Sequence, residues 1–133
     1  MRIFVLILLL LGAHFAATPF VPAQKAWIVW PFGVDSRPVL AFVGGLPQQS
    51  GSVFVPAVAG IASLSFIAAI FALFGILVPG SWFVPAAAVG AVTSIVLYVA
   101  FAGPWAILPI AIDLIVLWGV LVQHWTAVAL RGA

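Results

Sequence analysis

Residues 57–102, "AVAGIASLSFIAAIFALFGILVPGSWFVPAAAVGAVTSIVLYVAFA", carry two long apolar runs, Ala57–Val78 and Trp82–Ala102, that meet at the break Val78-Pro79-Gly80-Ser81-Trp82. At ~1.5 Å rise per residue each run covers about 30 Å, the hydrocarbon thickness of a bilayer. Neither contains an Asp, Glu, Lys or Arg. As single segments in lipid, only helices satisfy their own backbone polar groups, so both runs are predicted to be membrane-spanning helices. A break this short permits only antiparallel neighbours.

The same reading extends outward. Trp105–Thr126 forms another run of spanning length after the break Gly103-Pro104-Trp105, and Ile3–Ala17 forms a shorter one near the N-terminus. Pro19 and Pro22 close the first run and Pro56 opens the second, because proline ends a helix or occupies its first turn. The first run also has the charged start and apolar centre of a secretory signal, with Val21-Pro22-Ala23 as a tolerable cleavage site. Its apolar stretch continues through Ala17 without a clear Ala-x-Ala site, which favours retention as a first helix. The expected fold is an all-α membrane protein: one domain, 1–133, with four transmembrane helices at 3–17, 57–78, 82–102 and 105–126 in an up-down bundle.

Between the first two helices lies a long loop, 18–56, rich in Pro, Gly and Trp. Loops of this length are functional or disordered. This one is too apolar for disorder, since Trp27, Ile28, Val29, Trp30 and Phe32 seek the headgroup region. "PVLAFVGGL" (38–46) is too short to span. The loop is expected along the membrane surface or over the bundle, with "PQQSGS" (47–52) as its exposed tip.

Composition narrows the chemistry. The chain is 67% hydrophobic and only 5% charged, so there is no basic patch for nucleic acid, and a pI near 10 rests on just four cations. With no cysteine, thiolate catalysis, Fe–S clusters and Cys-ligated zinc are excluded. No Gly-x-Ser-x-Gly, phosphate loop or metal-spaced histidines occur, which leans away from an enzyme. Trp27, Trp30 and Trp105 fall on the loop side and Trp82 and Trp125 on the other, as two aromatic belts. Charges flanking the spans tie, Arg2 and Arg131 against Lys25 and Arg37. The N-terminal amine and the ease of exporting a Trp-rich loop favour cytoplasmic termini, in what is expected to be a bacterial plasma membrane.

Depths counted from the loop side gather the polar residues. His14 lies about 5 Å in, Tyr98 about 7 Å, Ser63 and Ser65 about 9–12 Å, Asp113 about 12 Å, and Thr93 and Ser94 about 13–15 Å. All four helices thus contribute to one layer in one half of the bilayer. Small residues at Ala86, Gly90 and Ser94 let a neighbouring helix approach, which turns Ser94 inward. A carboxyl at this depth is neutral, paired or facing water, and His14 is the one candidate cation within the layer. The candidate site is therefore Asp113, His14, Ser94 and Tyr98. Beside it stand plainer readings: Ser and Thr bonded back to a carbonyl one turn earlier, Tyr98 as an interface anchor, His14 solvated by headgroups, and Asp113 as polar glue between helices.

A haem held by two histidines is argued against, because His14 and His124 lie near opposite faces of the membrane. His14 alone could ligate a pigment magnesium. That would resemble the Ala-x-x-x-His pattern of light-harvesting peptides, although Leu10 stands where those have a small residue. In helix number and a single membrane carboxylate the chain resembles the small multidrug transporters, but their acid is a Glu of the first helix. In helix number and size it is similar to the DoxX-like membrane proteins, some linked to quinone oxidation. No family is assigned on these likenesses. Two functions follow as expectations. One is a non-catalytic structural or accessory subunit that packs against other membrane proteins, pigments, lipids or its own copies. The other is a small transporter or quinone-handling protein with a protonatable Asp113. Scarcity of further acid–base groups favours the first.

Overall fold

A computed structural model describes residues 1–21, 24–32, 53–101 and 104–131. The stretches 38–46 and 47–52, with Asp35, Arg37, Pro22 and Ala23, lie outside the described residues. Among the described residues the protein is helical: α1 (Arg2–Ala17), α2 (Phe54–Phe74), α3 (Phe83–Ala100), α4 (Ile107–Leu121) and a short α5 (Ala127–Arg131). Single 3-10 turns follow α1 (Thr18–Phe20) and precede α3 (Gly80–Trp82) and α4 (Pro104–Ala106). Three segments, Arg2–Phe20, Phe54–Phe74 and Gly80–Ala100, are long and apolar enough to cross a membrane, while α4 is equally apolar but has 15 residues. Large apolar side chains such as Ile7, Leu10, Leu64, Val92 and Leu114 face outward. These are properties of a helical integral membrane protein.

The helix starts share a device. Pro56, Pro85 and Pro109 each stand third in α2, α3 and α4, and the tetrapeptide Phe-Val-Pro-Ala opens both α2 and α3. In a first turn the missing proline N–H costs no bond. Taking proline as the boundary itself puts the start of the second helix at 57; α2 begins three residues earlier. Its end also moves, from 78 to Phe74. Gly75 adopts φ 67, its N–H bonds the Ala72 carbonyl, and the Ile76 N–H reaches back to Phe71 at 3.0 Å. That pair of bonds is the glycine stop that satisfies the last carbonyls of a helix.

The largest correction falls on the fourth helix, expected to run 105–126. It starts at Ile107, so Pro109 lies in its first turn rather than its interior, and it stops at Leu121. The Gln123 N–H bonds the Trp118 carbonyl, His124 takes a positive φ of 55, and the Trp125 N–H returns to the Gly119 carbonyl at 3.0 Å. Trp125 is therefore folded in and buried rather than part of an outer belt, with its ring over Gly119 and edge-on to Trp118. A Cβ on Gly119 would occupy the space of that ring. Thr126 then caps α5, accepting the Ala129 N–H at 3.1 Å. α5 lies against α2 and the Gly80–Trp82 turn, at the end away from the long loop.

α3 packs between α2 and α4, α1 packs against α2 and α4, and α1 also touches α3 across the middle. At the centre of these contacts is Phe66 of α2. Its ring fits between Gly12 of α1 and Gly90 of α3, where an added Cβ would sit 2.9 Å and 3.1 Å from ring carbons. Two missing side chains make the slot that the ring fills. At the far end Arg2 places its guanidinium over the Phe74 ring, 5.9 Å from the centroid.

Candidate functional site

The site begins with a backbone vacancy written in the sequence. In an α-helix the Phe15 carbonyl would accept the N–H of residue 19, and residue 19 is proline. Three other donors take it instead. The Thr18 N–H closes a 3-10 turn on it, the Thr18 hydroxyl donates at 2.7 Å, and the Tyr98 hydroxyl donates from α3 at 2.6 Å. Tyr98 and Thr18 are buried, so this is a dry interhelical contact. Phe32, arriving from the long loop, closes it from above: it is buried, with its ring 5.3 Å from Tyr98 and 5.0 Å from Phe101.

One turn before Tyr98, Ser94 faces α4 and Asp113. Both are 1% exposed. Ser94 lies beside the carboxyl, which also interacts electrostatically with the Tyr98 phenol. Yet neither the Ser94 hydroxyl nor either carboxyl oxygen has hydrogen-bond geometry with any partner among the described residues. Ser94 and Asp113 are thus neighbours rather than a bonded pair. An unpaired buried polar atom is costly, by ~1–3 kcal/mol, and three occur here together.

Of the four candidate residues the structure brings together Asp113, Ser94 and Tyr98, and it turns His14 elsewhere. His14 Nε2–H donates to the Val29 carbonyl at 2.8 Å, and its ring meets Trp30 edge-on at 5.1 Å. A carbonyl only accepts, so Nε2 carries the proton of this bond. The remaining polar residues of the layer are local. Ser63 donates to the Ala59 carbonyl at 2.7 Å and Thr93 to Val89 at 2.6 Å, each one turn back. Ser65 is half-buried on the outer side of α2. His124 is exposed past the end of α4, at the opposite end from His14. Among the described residues no group of three or more His, Cys, Asp or Glu could hold a metal ion.

Thr18 and the Phe15 carbonyl were missed from sequence. The signal existed in Thr18-Pro19, since a proline four residues after a helical position frees that position's carbonyl. Compared with protein-family models, with curated proteins and with solved structures, the chain matches none.

Proposed function

We propose that this protein is a four-span up-down bundle acting as a small non-catalytic structural or accessory subunit in the membrane, packed against other membrane proteins or its own copies. The observation that carries this reading is the outer face between α2 and α3. There a groove of about 520 Å³ runs past Ser65, Ala68, Trp82, Pro85 and Ala86. Small residues on adjacent helices let another backbone approach closely, which is how helices associate where lipid removes the hydrophobic drive. The polar layer supports the same reading, for Asp113 and Tyr98 are sealed among helices and Tyr98 spends its hydroxyl on a structural bond. The test is mild solubilisation, affinity purification and crosslinking of the wild type beside Ala68→Phe and Ala86→Phe. The expected result is a specific protein partner or oligomer captured by the wild type and lost when the groove is filled. A lone wild-type chain sinks the proposal.

One observation favours a second reading, a transport or quinone-handling site: the three unpaired oxygens of Ser94 and Asp113. Buried ionisable groups in membranes mark proton and substrate paths. Reconstituted vesicles separate the two readings, because Asp113→Asn leaves proton flux and quinone binding unchanged for a subunit and abolishes them for a carrier.

A further inference from the structure

The long loop begins with a small, firmly tied hairpin. Trp27 and Trp30 exchange both backbone hydrogen bonds, each at 3.0 Å, leaving Ile28 and Val29 as a two-residue tip. Two side chains pin it to the end of α1: His14 Nε2 donates to the Val29 carbonyl, and Trp30 Nε1 donates to the Val21 carbonyl at 2.7 Å. Two residues after Trp30, the chain turns inward and buries Phe32 on Tyr98.

So constrained, the hairpin nevertheless leaves its apolar side chains uncovered. Trp27 is 51% exposed, Ile28 50% and Val29 47%. A tied turn with an exposed indole and two branched aliphatics is suited to an apolar phase rather than to water. Position says which phase. The bond from His14, in the last turn of α1, sets the tip level with the loop-side end of a helix long enough to span, and that level is the headgroup–acyl boundary. Lys25, exposed two residues before Trp27, has the reach and charge to meet a phosphate there while its stem lies on apolar surface.

We propose that residues 24–30 form a phospholipid anchor, in which Trp27, Ile28 and Val29 enter the acyl boundary of the loop-side leaflet and Lys25 engages lipid phosphate. The inference rests on the membrane-spanning reading of α1. It gives the hairpin a second effect, since a tip held in the leaflet also holds Phe32 over the Tyr98–Phe15 contact.

The chain has no cysteine, so single nitroxide labels can be attached at Ile28→Cys, Val29→Cys and, as a reference on the outer face in the middle of α1, Leu10→Cys. Collision rates with oxygen and with a water-soluble nickel chelate are then measured in phosphatidylcholine vesicles containing phosphatidylglycerol. The expected result is oxygen collisions exceeding nickel collisions at residues 28 and 29, by less than at residue 10, with Lys25→Glu moving both tip labels toward water. Nickel-accessible tip labels beside a lipid-immersed residue 10 overturn the anchor and leave the membrane reading standing. A nickel-accessible residue 10 overturns the membrane reading as well. Tip labels shielded from both reagents mean that protein covers the hairpin, which also overturns the proposal, and tip labels unmoved by Lys25→Glu overturn the role of the lysine.

Discussion

Replacing Gly12 with alanine is expected to destabilise the protein by about 1–2 kcal/mol, while the same change at Gly90 costs close to nothing. Two effects oppose each other at both positions. Alanine in a helix interior gains up to ~1 kcal/mol over glycine, and forcing a methyl into a filled slot costs ~1–3 kcal/mol. Distance decides which effect wins. A Cβ on Gly12 would meet three Phe66 ring carbons at 2.9, 3.0 and 3.0 Å, closer than carbons pack without displacement, whereas on Gly90 the three nearest are at 3.1, 3.2 and 3.3 Å. In Gly90→Ala the ring can yield a few tenths of an ångström by moving toward Gly12. It has no such retreat once both glycines are replaced, so the double variant should cost more than the sum of the singles, by at least ~0.5 kcal/mol. Phe66→Leu removes the ring, and Gly12→Ala in that background should become neutral or stabilising. The assay is unfolding by dodecyl sulfate in dodecyl maltoside micelles, followed by far-ultraviolet circular dichroism. Equal costs at Gly12 and Gly90, strict additivity, or an unchanged Gly12→Ala penalty without the ring would each refute the clamp.

Tyr98→Phe removes one of the three donors on the Phe15 carbonyl and should cost about 1 kcal/mol in the same titration, with Thr18→Val adding a similar loss. Gly119→Ala places a methyl in the volume of the Trp125 ring, so the ring must leave; a shifted indole emission and faster proteolysis across 122–131 are the expected signs, and an unchanged spectrum contradicts the fold-back. Gly75→Ala should cost ~1 kcal/mol or more, because φ 67 strains any residue with a Cβ, and a neutral result would mean that α2 does not end there.

The long helices were legible because length, apolarity and proline punctuation all point one way in a chain with so few charges. The three proline starts show the limit of that reading, since Pro56 marked the right neighbourhood but sits inside the first turn, not at its edge, and Pro109, which the expected 105–126 helix placed in its interior, stands in the first turn of α4. The end of α4 was hidden because no glycine or proline stands between Leu121 and Arg131. His124 adopts the left-handed conformation that glycine would have advertised, and the cue lay inside the helix, at Gly119, whose bareness makes sense only once Trp125 returns to it. In the polar layer, helix rise gave depth but not facing direction. Ser94 follows from the small residues Ala86 and Gly90 on its face, and Tyr98 lies one turn further along the same face. His14 did not follow, because its partner, the Val29 carbonyl, belongs to a hairpin whose path no periodicity encodes.

The contact at the Phe15 carbonyl has a consequence for vertical alignment. Faces made of Ala, Gly, Val and Leu slide past one another at little cost when lipid tails are as apolar as the faces themselves. α1 and α3 cannot do so. Pro19 leaves one carbonyl at that level short of its helical donor, and Tyr98 is the chain's one tyrosine. A slip of α3 by a single turn away from the loop side, ~5.4 Å, would strand the phenol in hydrocarbon without an acceptor and leave the carbonyl with only its Thr18 donors, at a cost of several kcal/mol by order of magnitude. A proline that donates nothing therefore works as an index mark, fixing the register of α1 against α3 at the loop-side end.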